Sequence, residues 1–242
     1  MNLQEFALAC ESAFAANGLS VPTEAQTVLL YRLTEIMLET NKSMNLTAIK
    51  DEKAVILRHY VDSLLASSYF PGGASVLDVG CGGGFPTFPL AIFRPDLAIT
   101  ALDATAKRIA YVQSTARALG LDNVTAIAAR AEELAHTAEH RERYDAVTAR
   151  AVASLPVLAE LCLPFVKEGG AFVAMKAKQA EEELCEAANA IRICGGKLTQ
   201  THAPYLCGGD EPEPRVLICV SKISATPKNY PRHFSKISKK PL

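Results

Sequence analysis

Residues 76–85 read Val76-Leu-Asp-Val-Gly-Cys-Gly-Gly-Gly-Phe85, an apolar run that breaks into glycines at Gly80, Gly82 and Gly84. A strand that closes on such a loop brings bare backbone to the carboxyl edge of a sheet, where open α/β folds bind their ligands. Side chains there would block close approach, and the turns need positive φ. Asp103 ends the next apolar run, 23 residues beyond Gly80; an acid in that place accepts hydrogen bonds from the two hydroxyls of an adenosine ribose. Pyridine nucleotides also use loops of this kind, and two residues discriminate. Asp78, two positions before Gly80, would repel a pyrophosphate and attract an ammonium group. Phe85, followed by Pro86, stands where a dinucleotide fingerprint has its third glycine. An ammonium group and an adenosine in one molecule describe S-adenosylmethionine, so that cofactor is expected, held by Asp78, Gly80, Gly82, Phe85 and Asp103.

Other reactive residue types are weaker signals. Arg58, His59, Asp62 and Ser63 fall at helical spacing, which sets Arg58 over Asp62 and His59 over Ser63. Spacing alone leaves two readings, an ordinary ion pair with its neighbouring hydrogen bond or a functional cluster. His136 and His140 share a helical face without a third ligand nearby, so no metal site is expected. Cys81 fits a tight turn better than it fits a nucleophile.

The elements that must position these residues follow from the hydrophobic period. Up to about residue 65 the pattern is helical. Leu3, Phe6, Ala7, Cys10 and Phe14 make one stripe, and Leu29, Leu30, Leu33, Ile36 and Met37 another, opened by a capping box at Thr23 and Gln26 and running to about Thr40. Asp51 is placed to cap a third helix over residues 52–66. After Pro71-Gly-Gly73 the period shortens. Strands are predicted at Ser75–Val79, Ala98–Leu102, Val124–Ala128, Ala146–Ala149 and Ala171–Met175, with helices at 88–93, 105–119, 156–167 and 178–194 between them. That alternation predicts a parallel sheet with helices on both faces. Lys197–His202 and Val216–Ile223 are expected to pair as an antiparallel hairpin, giving seven strands.

Composition bounds the function classes. With 49% hydrophobic and 21% charged residues in 242, the chain is neither disordered nor fibrous. No run reaches the length of a bilayer span, and Glu5 and Glu11 do not suit a signal peptide, so a cytoplasmic protein without membrane contact is expected. Seven scattered cysteines without a C-x-x-C pair read as reduced thiols. The net charge of -1 divides into -7 over residues 1–221 and +6 over 222–242. From Thr226 the segment is rich in proline and lysine, so it is expected to be extended and mobile, and its charge suits a polyanion. Lys228, Arg232, Lys236, Lys239 and Lys240, with Lys50, Lys53, Lys107 and Arg108, are candidates for phosphate contacts, and Tyr230 and Phe234 for base stacking.

These motifs together resemble one family. Asp78-Val-Gly-Cys-Gly-Gly-Gly-Phe-Pro86, Asn45-Leu-Thr-Ala-Ile49, Arg58-His59 with Asp62-Ser-Leu64, Leu102-Asp103 with Lys107-Arg108, Ala131-Glu-Glu133, Ala149-Arg-Ala-Val152 and the ending Thr226-Pro-Lys-Asn-Tyr-Pro-Arg232 are similar, in order and approximate spacing, to the RsmG (GidB) family. The chain is identified on these motifs as resembling bacterial 16S rRNA guanine-N7 methyltransferases. The resemblance implies a Rossmann-like fold with an N-terminal helical extension (1–70), a methyltransferase domain (71–224) and a basic flexible tail (225–242). It implies S-adenosylmethionine as cofactor, 16S rRNA or the small ribosomal subunit as partner, and a monomer. It implies a cofactor pocket lined by Gly80, Phe85, Ala131, Glu132 and Arg150, with Arg58, His59, Asp62 and Lys176 on the catalytic side. Thr87 stands where relatives have glycine and is expected to cap the following helix; Ala177 replaces the glycine of a Lys-Gly pair. The competing classes are an NAD(P)-binding oxidoreductase and a non-catalytic RNA-binding or assembly factor.

Overall fold

The computed structural model describes residues 1–177 and 180–242. Three helices come first. α1 (Leu3–Ala16) and α2 (Glu24–Met44) both open with capping boxes, at Asn2 with Glu5 and at Thr23 with Gln26. α3 covers residues 52–64, is capped by Asp51, and carries a π-helical turn at Ile56–Val61. Asn45 ends α2 in the left-handed conformation, so it acts as the turn residue, and Asn41 then holds Thr47 through two reciprocal 2.9 Å hydrogen bonds.

Seven strands form one sheet in the order β3-β2-β1-β4-β5-β9-β6. They are β1 (Ser75–Val79), β2 (Ala98–Asp103), β3 (Val124–Ala128), β4 (Tyr144–Arg150), β5 (Val166–Lys176), β6 (Gly196–His202) and β9 (Val216–Lys222). The first five run parallel, and β9 is antiparallel to both β5 and β6. The expected final hairpin therefore forms, with β9 inserted between β5 and β6. Two short strands, β7 (Tyr205–Leu206) and β8 (Glu213–Pro214), pair within the Pro/Gly-rich segment. The helices α4 (Thr87–Phe93), α5 (Ala106–Leu119), α6 (Ala131–Leu134), α7 (Leu155–Cys162) and α8 (Ala180–Ile193) connect the strands. The first two residues of the helix predicted at 178–194 lie outside the described residues.

Alternation along β1 divides the core. Val76 packs with the N-terminal helices, α4 and α5, whereas Leu77 and Val79 pack with α7 and α8 on the other face. Strand order reverses between β1 and β4, so a crevice opens at their carboxyl ends. The register pairs Asp78 with Thr148 and Asp103 with Ala128, which sets both acids at that edge beside the end of β4 at Arg150.

The expectation of a mobile tail differs from the structure. Thr226, Pro231 and Ile237 are buried, and α9 (Phe234–Lys239) packs on α7. The order comes from polar capture of backbone rather than from apolar content. Arg141 donates to the carbonyls of Thr226, Pro227 and Tyr230, and Arg232 donates three times to the fully buried carboxylate of Glu160. No helix among the described residues is long and apolar enough to cross a membrane.

Candidate active site

The glycine loop turns through positive φ at Gly80 (+74°), Gly82 (+55°) and Gly84 (+86°), a region that side chains rarely adopt. A Cβ on Gly80 would stand 2.6 Å from Val152 Cγ2, in the loop that follows β4. The amides of Gly80 and Cys81 donate to Leu102 O at the end of β2, and Asp103 Oδ2 accepts from the Gly82 amide at 3.1 Å. Thus β2 anchors the loop of β1. Cys81 is buried, and desolvation together with the charges of Asp78 and Asp103 pushes its thiol far above the ordinary range, so it is no nucleophile.

Asp78 lies under this loop, 1% exposed. Its Oδ2 accepts the Thr87 hydroxyl at 2.6 Å and the Thr87 amide at 3.2 Å, while Oδ1 is buried with no hydrogen-bond partner among the described residues. Thr87 therefore does not cap α4 as expected: it is the first residue of that helix, and its hydroxyl turns inward to the acid. Burial pushes the Asp78 carboxyl up to about 6, against the downward pull of Thr87 and Arg150.

A cavity of about 690 Å³ opens above the loop, walled by Gly80, Gly82, Phe85, Arg58, His59, Asp62, Arg150 and Lys176 among others. These expected site residues come together, although they lie 118 positions apart in the chain at the extremes, Arg58 and Lys176. Asp78, Asp103, Ala131 and Glu132 are not among the cavity's described wall residues. Glu132 is buried at the start of α6, its Oε1 has no hydrogen-bond partner, and the guanidinium of Arg130 stands 3.9 Å away, too far to donate.

The pairs expected from helical spacing do not form. Arg58 Nε donates to Glu213 Oε1 at 2.7 Å, and the Ser63 hydroxyl donates to the backbone carbonyl of His59. Both members of the Arg58/Asp62 pair are taken by partners from other elements of the fold. Asp62 is instead shared, Oδ2 accepting from Arg150 at 2.9 Å and Oδ1 from Arg215 Nε at 2.8 Å. Arg215 also donates to Glu213, so α3, β4 and the start of β9 are tied by one ionic chain. Nothing local to Arg58 or Asp62 signals Arg215, which is 153 positions from Asp62.

His59 stacks on Phe85, with ring centroids 4.3 Å apart and planes 7° from parallel. Arg150 reaches His59 Nδ1 at 3.3 Å, and a guanidinium can only donate, so Nδ1 accepts and Nε2 carries the proton toward Thr47 Oγ1 at 2.8 Å. Burial, then the Arg150 charge, pushes the imidazole down to about 3, so the ring is neutral. Lys176 donates to Ala153 O at 2.9 Å and to Glu183 Oε2 at 2.8 Å, which ties the loop after β4 to α8. His136 and His140 are engaged by Pro231 O and the Tyr144 hydroxyl.

The donor and acceptor inventory fits S-adenosylmethionine. Asp78 Oδ1, under the glycine loop, and Glu132 Oε1, at the start of α6, are buried carboxylate oxygens without donors among the described residues. An ammonium group, a ribose and an adenine amine are donors. A sheet of this order, with the glycine loop on β1 and an acid closing β2, has the Rossmann-like fold of the S-adenosylmethionine-dependent methyltransferases. The O-methyltransferase from Bacillus cereus, solved with SAH, aligns at a TM-score of 0.55 and 16% identity over 90% of this chain and 100% of its own. The [4+2]-cyclase SpnF aligns at 0.56 and 16% over 84% and 97%. Sequence narrows the class. Residues 26–206 match the family of rRNA small subunit methyltransferase G, GidB. The ribosomal RNA small subunit methyltransferase G of Desulforamulus reducens is 42% identical over 91% of this chain and 92% of its own, and that of Listeria welshimeri 41% identical over 100% of both. The chain belongs to the rRNA small subunit methyltransferase G family.

Proposed function

We propose that the chain transfers a methyl group from S-adenosylmethionine to N7 of a guanine in 16S rRNA, G527 of the 530 loop by family resemblance. The observation that carries the reading is Asp78 Oδ1, buried without a hydrogen-bond partner among the described residues beneath the glycine loop over which an arginine-walled cavity opens. Asp78 would hold the ammonium group, Asp103 the ribose hydroxyls, and Glu132 the adenine edge. When bound, S-adenosylmethionine supplies an electrophilic methyl group.

Guanine N7 has a lone pair and no proton, so the protein needs no general base. This agrees with a neutral His59 whose two nitrogens are both engaged. His59 and Phe85 form one stacked wall, Asp62 fixes Arg150 against α3, and Lys176 fixes the loop over Gly80; their work is positioning, which alone can supply several kcal/mol of a barrier. The cavity wall, with Arg58, Arg108, Arg150, Lys176 and Arg215 against Asp62, Glu183 and Glu213, suits the phosphates that flank the target base. A pyrophosphate would meet the Asp78 carboxylate, which disfavours the oxidoreductase.

The test is incubation of the protein and labelled S-adenosylmethionine with small subunits from a strain lacking the modification, followed by mapping of the labelled nucleotide. Incorporation at one guanine, with the label released on N7-specific cleavage, is expected. No incorporation overturns the reading in favour of a non-catalytic assembly factor.

A further inference from the structure

The charge asymmetry of the chain has a definite place in the fold. The cavity lies at the carboxyl edge of the sheet, where Arg150 ends β4. The last segment departs from the opposite edge: β9 ends at Lys222, paired with Gly196 at the start of β6, and the Thr226 amide then bonds Glu142, just ahead of β4. β4 has seven residues, so at about 3.3 Å per residue the two edges stand on the order of 20 Å apart.

Two of the six cations in residues 222–242 anchor the segment. Lys222 is buried against Glu142, Leu163 O and Thr226, and Arg232 against Glu160. The other four, Lys228, Lys236, Lys239 and Lys240, are exposed and have no carboxylate partner among the described residues. Arg192 and Lys197, also exposed, end α8 and open β6 at the same edge. The neighbouring acids Glu142 and Asp145 are paired with Lys222 and Lys167, while Glu139 and Glu168 stay exposed. Lysines carried on a docked backbone lose less freedom on binding than those of a mobile tail would, and Phe234, 38% exposed in the same segment, offers a face to a base.

We infer that this edge is a second RNA-docking surface, remote from the methyl-transfer cavity, which grips the phosphate backbone of the same ribosomal RNA. The inference rests on the proposed activity. Its consequence is a size requirement: an RNA that engages both places must extend over more than about 20 Å, so a minimal stem-loop of about four base pairs carrying the target guanine is too short and meets the cavity alone.

The experiment compares the full chain with K228Q/K236Q/K239Q/K240Q on a full-length 16S transcript and on a minimal stem-loop of the 530 region with about four base pairs, reading RNA Kd, kcat, KM and the salt dependence of each. With the transcript, Kd and KM rise about tenfold at physiological salt, and the slope of log affinity against log salt becomes shallower by about 3, as four lost phosphate contacts require. The stem-loop values, kcat, cofactor Kd and Tm stay as in the parent chain. An unchanged transcript Kd overturns the inference, and so does an equal loss on the stem-loop, which would put the lysines at the cavity mouth. Lysine-dependent transcript binding without any methyl transfer leaves the docking surface standing and overturns the proposed activity.

Discussion

Thr87 donates both its hydroxyl, at 2.6 Å, and its amide, at 3.2 Å, to Asp78 Oδ2, while the opposite oxygen of this buried carboxylate has no partner among the described residues. The folded chain thus disfavours the Asp78 charge until a cation arrives. The carboxyl is pushed up from 3.8 to about 6, mainly by burial. A raised folded value means that the contribution to stability is complete below pH 3.8 and is lost as the pH rises through about 6, a difference of about 3 kcal/mol.

Asp78→Asn removes that loss. Without cofactor at pH 8 the variant is expected to be more stable than the parent by up to about 3 kcal/mol in urea titration, while S-adenosylmethionine binding in calorimetry weakens at least tenfold, as loss of a charge-assisted hydrogen bond requires. In the parent, cofactor affinity should rise with pH through about 6 with release of a proton. A variant less stable than the parent at pH 8 that binds the cofactor normally would refute this account.

His59 acts in the opposite direction. Its folded value is pushed down from 6.5 to about 3, so its contribution is present above pH 6.5 and lost as the pH falls toward 3, on the order of 5 kcal/mol at most. Between about pH 4 and 6 Asp78 and His59 offset each other in the parent. In Asp78→Asn the offset is gone, so stability should fall steadily on acidification below pH 6, and adding His59→Gln should flatten that slope. The check is a set of urea curves from pH 4 to 8; equal slopes in the two variants would remove His59 from the explanation.

Gly80 and Gly120 have nearly the same φ, +74° and +67°, but different surroundings. A Cβ at Gly120 meets open space, and one at Gly80 meets Val152 at 2.6 Å. Gly120→Ala should cost about 1–2 kcal/mol from the left-handed backbone alone and leave cofactor binding intact. Gly80→Ala should cost more and abolish cofactor binding, with Val152→Ala restoring part of the stability but not the binding. Thermal unfolding with and without the cofactor separates these outcomes.

The strands around the site were legible because the hydrophobic period changes at Pro71-Gly-Gly73 and because glycines end β1. The arrangement of the side chains was less so. Arg58 and Asp62 stand at helical spacing, yet Arg58 pairs with Glu213 and Asp62 with Arg150 and Arg215, partners that spacing along one helix cannot reveal. Arg215 and Glu213 sit in a segment that reads as a loop, and they join the site through β9, whose insertion next to β5 is a tertiary event. The partnership of Thr87 with Asp78 depends on which way one hydroxyl turns at the start of α4. The segment after Thr226 looked mobile because few apolar residues hold it, and the carbonyl contacts of Arg141 are invisible in composition.

Those contacts make the last segment part of the fold. Glu160 is fully buried and receives three hydrogen bonds from Arg232. Arg232→Ala removes the two guanidinium donors and the paired charge, keeping only the backbone amide, and so leaves a buried carboxylate uncompensated, a change that costs about 3–5 kcal/mol. Glu160→Gln in the same chain relieves the uncompensated charge, so the double variant should recover a substantial part of the loss. Removal of residues 225–242 should resemble Arg232→Ala in urea titration, because it strands the same carboxylate. Stability equal to the parent after either change would mean that the segment is tethered without being docked. α7, which Arg232 clamps through Glu160, begins directly after the loop that carries Val152 over Gly80. Arg232→Ala should accordingly also weaken cofactor binding from a distance, and recovery of that binding in the double variant would separate an effect of the stranded charge from one of the missing guanidinium.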